Sequence, residues 1–272
     1  MDTGFLPHFR RIFTFSTVII CSFCKIVKRY CEKLPIAISI LKYYAYSRGL
    51  SMKVYQWIYM AAFVILTGAL MTLKIFKIGN RRRGVVKMLA SVSFLALGVV
   101  ACVRLHARNY AYLCAIGLFF ATLGDLLLVF MDRRVWFIAG TLSFACASAI
   151  LSVYSILVYG FRWWSLLIFA VLCVLNVICQ VKKVYSFGDY VVYLNIYTVL
   201  VSLCGSLGLS VAATVGEVGA IVFGVGCFAY LLSDFILGLY LFKFKNRFVD
   251  ALNTFLYFPG MFLIALSLVF YL

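Results

Sequence analysis

Acidic residues are scarce in this chain: eight Asp and Glu stand against 25 Lys and Arg in 272 residues, and all charged residues together make up 12%. So thin a polar complement excludes a soluble globule, because 66% hydrophobic residues and a mean hydropathy of +1.09 exceed what one core of this size can hide. Histidine is scarcer still. Its two copies, His8 and His106, fall in expected arms or loops, which excludes an HExxH site and a triad built on a buried serine. Of ten cysteines only Cys21 and Cys24 stand at CxxC spacing, with no second pair or nearby His. Most of the others lie in apolar runs and read as free buried thiols. Neither a metal nor a cofactor is expected. The net charge of +17 would suggest nucleic acid in a soluble protein. Here the basic residues gather between apolar runs, so the expected partners are membrane lipids and not nucleic acid.

What the chain has in abundance is apolar runs of membrane-spanning length. From Met52 onward there are eight: Val54 to Leu73, Met88 to Val103, Tyr110 to Phe130, Val135 to Tyr159, Trp163 to Cys179, Val191 to Ala213, Val218 to Phe242 and Leu252 to Tyr271. Their length predicts helices, since barrel strands would alternate apolar and polar residues over about ten positions. The expected fold is therefore an all-α polytopic membrane protein, a single bundle of about eight transmembrane helices. Multi-pass insertion in a bacterial inner membrane or in the endoplasmic reticulum fits equally well. Glycines such as Gly205, Gly208, Gly224 and Gly226 read as close helix packing, and Trp163, Trp164, Tyr185 and Tyr190 as interfacial anchors.

The links after the first, third, fifth and seventh runs carry thirteen Lys and Arg, while the alternate links carry only Arg104, Arg108 and Arg162. The first set is expected on the cytoplasmic side. Residues 1–51 fit this scheme poorly, with eight basic residues and a short apolar stretch, Ile12 to Cys24. Two readings follow: a dispensable extension preceding a start at Met52, or a basic arm lying on the lipid surface. The expected organisation is thus 1–51 as an extension and 52–272 as the helical domain.

Two acids stand inside apolar runs, Asp125 in the third and Asp234 in the seventh. An ionisable group in hydrocarbon costs at least a few kcal/mol and as a rule faces a protein interior or a wet cavity at a functional site. Asp125 precedes Arg133 by eight residues and Asp234 precedes Lys243 by nine, which puts each about 12 to 14 Å of helix from a basic anchor. Similar depth allows one cavity to hold both. The plain alternative is interhelical glue, with the acids bonded to Asn195, Tyr193 or Asn176. Another is a transporter that moves a proton or cation on the pair.

The residues around the acids resemble a known family. Gly124-Asp125-Leu126-Leu127-Leu128, followed by Phe137-Ile138-Ala139-Gly140 and Phe144, is similar to the Gly-Asp motif and succeeding helix of the YhhN-type lysoplasmalogenases. Gly226 to Asp234, ending Tyr230-Leu231-Leu232-Ser233-Asp234, resembles that family's Ser-Asp helix; Tyr257 to Ser267 resembles its last span, and Arg81 to Lys87 the basic entry to its second. The likeness covers about Met52 to Leu272. It implies a membrane hydrolase that cleaves the vinyl ether of a lysophospholipid, the lysoplasmalogen, to a fatty aldehyde and glycerophosphocholine or glycerophosphoethanolamine. Asp125 and Asp234 would be catalytic, one carboxyl protonated as general acid and the other ionised, with no cofactor. Ser233, Tyr230, Ser148, Asn195 and Tyr193 are the expected supporting residues, although a serine such as Ser233 also back-bonds to its own helix. The chain departs from the family pattern at Ser148, where a His is usual, at Met261, where a Gln is common, and at Met88, where a Pro commonly follows the Lys. A member that binds lipid without cleaving it is the corresponding alternative.

Overall fold

The computed structural model describes residues 54–76, 79–106, 110–182, 187–243 and 245–271. The stretch 1–51 and its two readings, the CxxC cysteines, Arg108, Lys183 and Tyr185 lie outside the described residues. Eight α-helices follow in order: α1 Val54–Ile75, α2 Asn80–Arg104, α3 Ala111–Leu128, α4 Arg134–Tyr159, α5 Ser165–Val181, α6 Val191–Thr214, α7 Val218–Phe242 and α8 Arg247–Ser267. Single 3-10 turns precede α6 at Gly188–Tyr190 and extend α8 at Leu268–Tyr271. A compact unit begins at Tyr59, and the bundle is described from there.

The protein is an all-α, multi-pass membrane protein. Helices are what apolar runs must form in hydrocarbon, where each backbone N–H and C=O has to find its partner within the segment. Among the described residues, six helical stretches are long and apolar enough to cross a membrane, and the apolar stretches Tyr59–Ile75 and Ser165–Val181 are shorter. The run predicted for α7 coincides with the helix, which leaves helical geometry at Lys243. Two helices begin well before their apolar stretches. α2 starts at Asn80, not Met88, so Arg82, Arg83 and Lys87 belong to the helix and not to a link. Lys and Arg are good helix formers whose long stems let the charge reach water. α8 likewise begins at Arg247, capped by the Asn246 side chain, which accepts from the Phe248 N–H at 3.0 Å.

Packing centres on α4, α6, α7 and α8. The α7–α8 contact is the most extensive, and α4 lies against α3 on one side and α6 on the other. Small residues permit the closest crossing. A Cβ on Gly226 of α7 would lie 2.7 Å from the Gly260 carbonyl of α8, so the two backbones touch where side chains would otherwise separate them. Gly208 and Gly224 bring α6 and α7 together in the same way. α1 joins the bundle through Phe63, whose ring stacks on Phe262 of α8 with 4.2 Å between centroids. α5 packs chiefly against α6, and only its Ser165 is buried.

Candidate functional site

Asp125 sits one turn before the end of α3 and is 2% exposed. Lys87 and Ser91 reach it from α2, four residues apart and therefore on one helix face. The Lys87 ammonium lies 3.0 Å from Oδ1, and the Ser91 hydroxyl donates to Oδ2 at 2.7 Å. From α8, the Tyr257 hydroxyl donates to the same Oδ2 at 2.7 Å. One cation and two hydroxyl donors satisfy this buried carboxyl group, as a charge in the interior requires. Gly124 has a steric purpose: a Cβ there would stand 2.7 Å from the Phe144 ring, so its absence lets that ring lie against α3.

Asp234, on α7, has different company. Tyr197 of α6 donates its hydroxyl to Oδ2 at 2.5 Å. Behind it runs a line of hydroxyls: Tyr197 lies 3.5 Å from the Tyr230 oxygen, and Tyr230 lies 3.1 Å from Ser148, which donates to the Phe144 carbonyl at 3.0 Å. Asp234 has no ion-pair partner among the described residues. Phe144 stands between the two tyrosines that hold the acids, its ring centroid 5.9 Å from that of Tyr257 and 6.4 Å from that of Tyr197.

Both acids line one cavity of about 270 Å³ at the basic end of the bundle. Lys74, Arg83, Lys87, Asp132 and Asp250 also face it, and Lys74 pairs with Asp250 at 2.6 Å, tying α1 to α8. A second cavity of about 300 Å³ is apolar and lies among α5, α6 and α7 with α4 at one side, and Leu172, Val201, Phe228 and Thr141 are on its walls. Asp234 borders both cavities, together with Leu128, Phe137, Phe144, Leu237 and Leu241. Helical rise does not account for this meeting, because the chain leaves α3 at Leu128 and passes through turns before Arg133. The shared cavity is what brings the acids to one place.

The other sequence-expected residues divide. Tyr230 and Ser148 stand in the hydroxyl line behind Asp234. Ser233 is fully buried and donates to the Tyr230 carbonyl of its own helix at 2.7 Å, the back-bonding reading. Asn195 accepts from Gln180 at 2.7 Å and from Asn176 at 3.4 Å, so it joins α5 to α6 and glues neither acid. Tyr193 is 37% exposed on the outer face of α6, one turn away from Tyr197, the tyrosine that reaches Asp234. Sequence reasoning missed Ser91, Tyr197 and Tyr257 and took Lys87 for an orientation anchor. The spacing of Lys87 and Ser91 was the available signal; the tyrosines gave none.

The YhhN family model matches residues 82–268. No curated protein matches, and no solved structure does. The matched region holds both acids together with Lys87, Ser91, Tyr197 and Tyr257, which bond to them: the chain belongs to the YhhN family.

Proposed function

We propose that the chain is an integral-membrane hydrolase that cleaves the vinyl-ether bond of lysoplasmalogen, giving a fatty aldehyde and glycerophosphocholine or glycerophosphoethanolamine. The observation that carries this reading is the position of Asp234 between a polar cavity, shared with Asp125, and an apolar one. Lysoplasmalogen joins a phosphate head to one alkenyl chain through its vinyl ether. With the head among Lys74, Arg83 and Lys87 and the chain on the apolar side, the reactive bond comes to Asp234.

Asp234 is the general acid. Its proton goes to the alkene carbon distal to oxygen, the C=C electrons form the new C–H bond, and an oxygen lone pair makes the oxocarbenium ion. Asp125, bonded to Lys87, Ser91 and Tyr257, faces that cation and orients water. Water adds to the cationic carbon, and the proton it sheds restores Asp234. The resulting hemiacetal collapses to aldehyde as its hydroxyl proton passes to the glycerol oxygen. One water is consumed. Family membership and the buried carboxyl pair support this chemistry over lipid binding alone.

The decisive assay measures aldehyde released from choline and ethanolamine lysoplasmalogens by purified protein and by its Asp125→Asn and Asp234→Asn variants. Each substitution abolishes release while the protein stays inserted. Near-normal turnover in both variants would refute the mechanism. The basic end, carrying Arg133, Lys182 and Lys243, is assigned to the cytoplasmic side by the same charge asymmetry that marks the sequence.

A further inference from the structure

α5 stands off from the bundle. Its contact with α6 is broken by a cavity of about 370 Å³, walled by Cys173, Asn176 and Gln180 on one helix and Asn195, Thr198 and Val199 on the other. On the adjoining face, Leu172, Leu175 and Asn176 form one wall of the apolar cavity, whose far wall is α7, and Asn176 borders both spaces. Two adjoining voids leave little holding this helix. At its start, Ser165 is 1% exposed and donates to the Arg162 carbonyl at 2.6 Å. Towards its end, the amides of Gln180 and Asn176 converge on Oδ1 of Asn195. Interhelical bonds of this kind in membranes are individually weak.

The far wall points to the occupant. Lining residues on α7 run from Phe228 to Phe242, about 21 Å of helix, and Asp234 lies within that length. The volume is at the small end for ligand pockets, which suits one extended chain. One end of the space adjoins the polar cavity, whose walls carry Lys74, Arg83 and Lys87 beside Asp125, Asp132, Asp234 and Asp250, so an amphiphile with a single chain and a zwitterionic head matches both halves. Leu175, Leu232 and Phe235 on the two sides of the cleft are all exposed, which opens it towards lipid.

Resting on the hydrolase reading above, we propose that the substrate's alkenyl chain binds in the α5–α6–α7 cavity and enters it sideways from the bilayer between α5 and α7. The amide cluster on Asn195 holds α5 as the outer wall of this portal.

The test uses the full chain in phosphatidylcholine vesicles and two substrates with the same head group, a long-chain lysoplasmalogen and a water-soluble short-chain vinyl-ether analogue. Leu175→Trp narrows the cleft from an exposed position. It should lower the ratio of long-chain to short-chain kcat/KM by about tenfold. An unchanged ratio overturns the proposal. A long-chain lysolipid carrying a diazirine at the chain end supplies a readout independent of turnover: label should fall on peptides around Leu175 and Leu232 and diminish in the Trp variant. Label elsewhere in the bundle overturns lateral entry even if hydrolysis stands. Correct labelling without hydrolysis of either substrate by the unaltered chain sinks the catalytic reading and leaves the chain site in place.

Discussion

Tyr197 donates its hydroxyl to Oδ2 of Asp234 at 2.5 Å, joining α6 to α7 at the partition between the two cavities. This bond fixes which carboxyl oxygen is left to face substrate. Tyr197→Phe should therefore cost about 100-fold in kcat through misplacement of the acid. Single-turnover aldehyde release, with insertion checked in parallel, measures it.

Ser148 stands two hydroxyls away from Asp234 and touches Tyr230, not the acid. Ser148→Ala removes two hydrogen bonds, and only the one to Tyr230 leads towards the acid; at about 1 kcal/mol its loss should lower turnover by about fivefold at most. A complete loss of kcat would show that the serine takes part in proton transfer.

Lys87, partly buried, pairs with the fully buried Asp125, the side-chain exposures being 22% and 2%. Removing only the cation in Lys87→Met strands a charge and should destabilise the protein by about 3–5 kcal/mol. The double variant Lys87→Met with Asp125→Asn should recover much of that loss in thermal unfolding, yet release no aldehyde. Failure of the double variant to recover would show that the pair is not the unit holding α2 to α3.

Gly226 and Gly260 meet backbone to backbone across α7 and α8. Gly226→Ala places a methyl 2.7 Å from the Gly260 carbonyl and should cost about 1–3 kcal/mol by overpacking. The midpoint of thermal unfolding in detergent reads this directly, and Gly238→Ala, with nothing within 4 Å of the added Cβ, is the control.

Much of the architecture was legible because hydrocarbon imposes a single demand on every span. α7 matched its apolar run from Val218 to Phe242, whereas α2 began eight residues before its run did. Hydropathy reports where lipid is, and a helix continues for as long as its residues tolerate the conformation. The acids were conspicuous for the same reason that they are costly. Their partners were not: Tyr197 and Tyr257 are two of 18 tyrosines in a chain rich in aromatic residues, and nothing local distinguishes a tyrosine aimed at an acid from one facing lipid. Lys87 was hidden by its setting, the last in a basic cluster that looks like an orientation signal. Only the convergence of α2, α3 and α8 gives it an acid to meet.

On the proposed hydrolase reading, an acid in the wall between a polar chamber and an apolar one would sort the products as they form. The aldehyde would dissolve in the bilayer and the glycerophosphodiester in water, so the two fragments would depart in opposite directions. Their separation into different phases opposes the reverse reaction without any energy source.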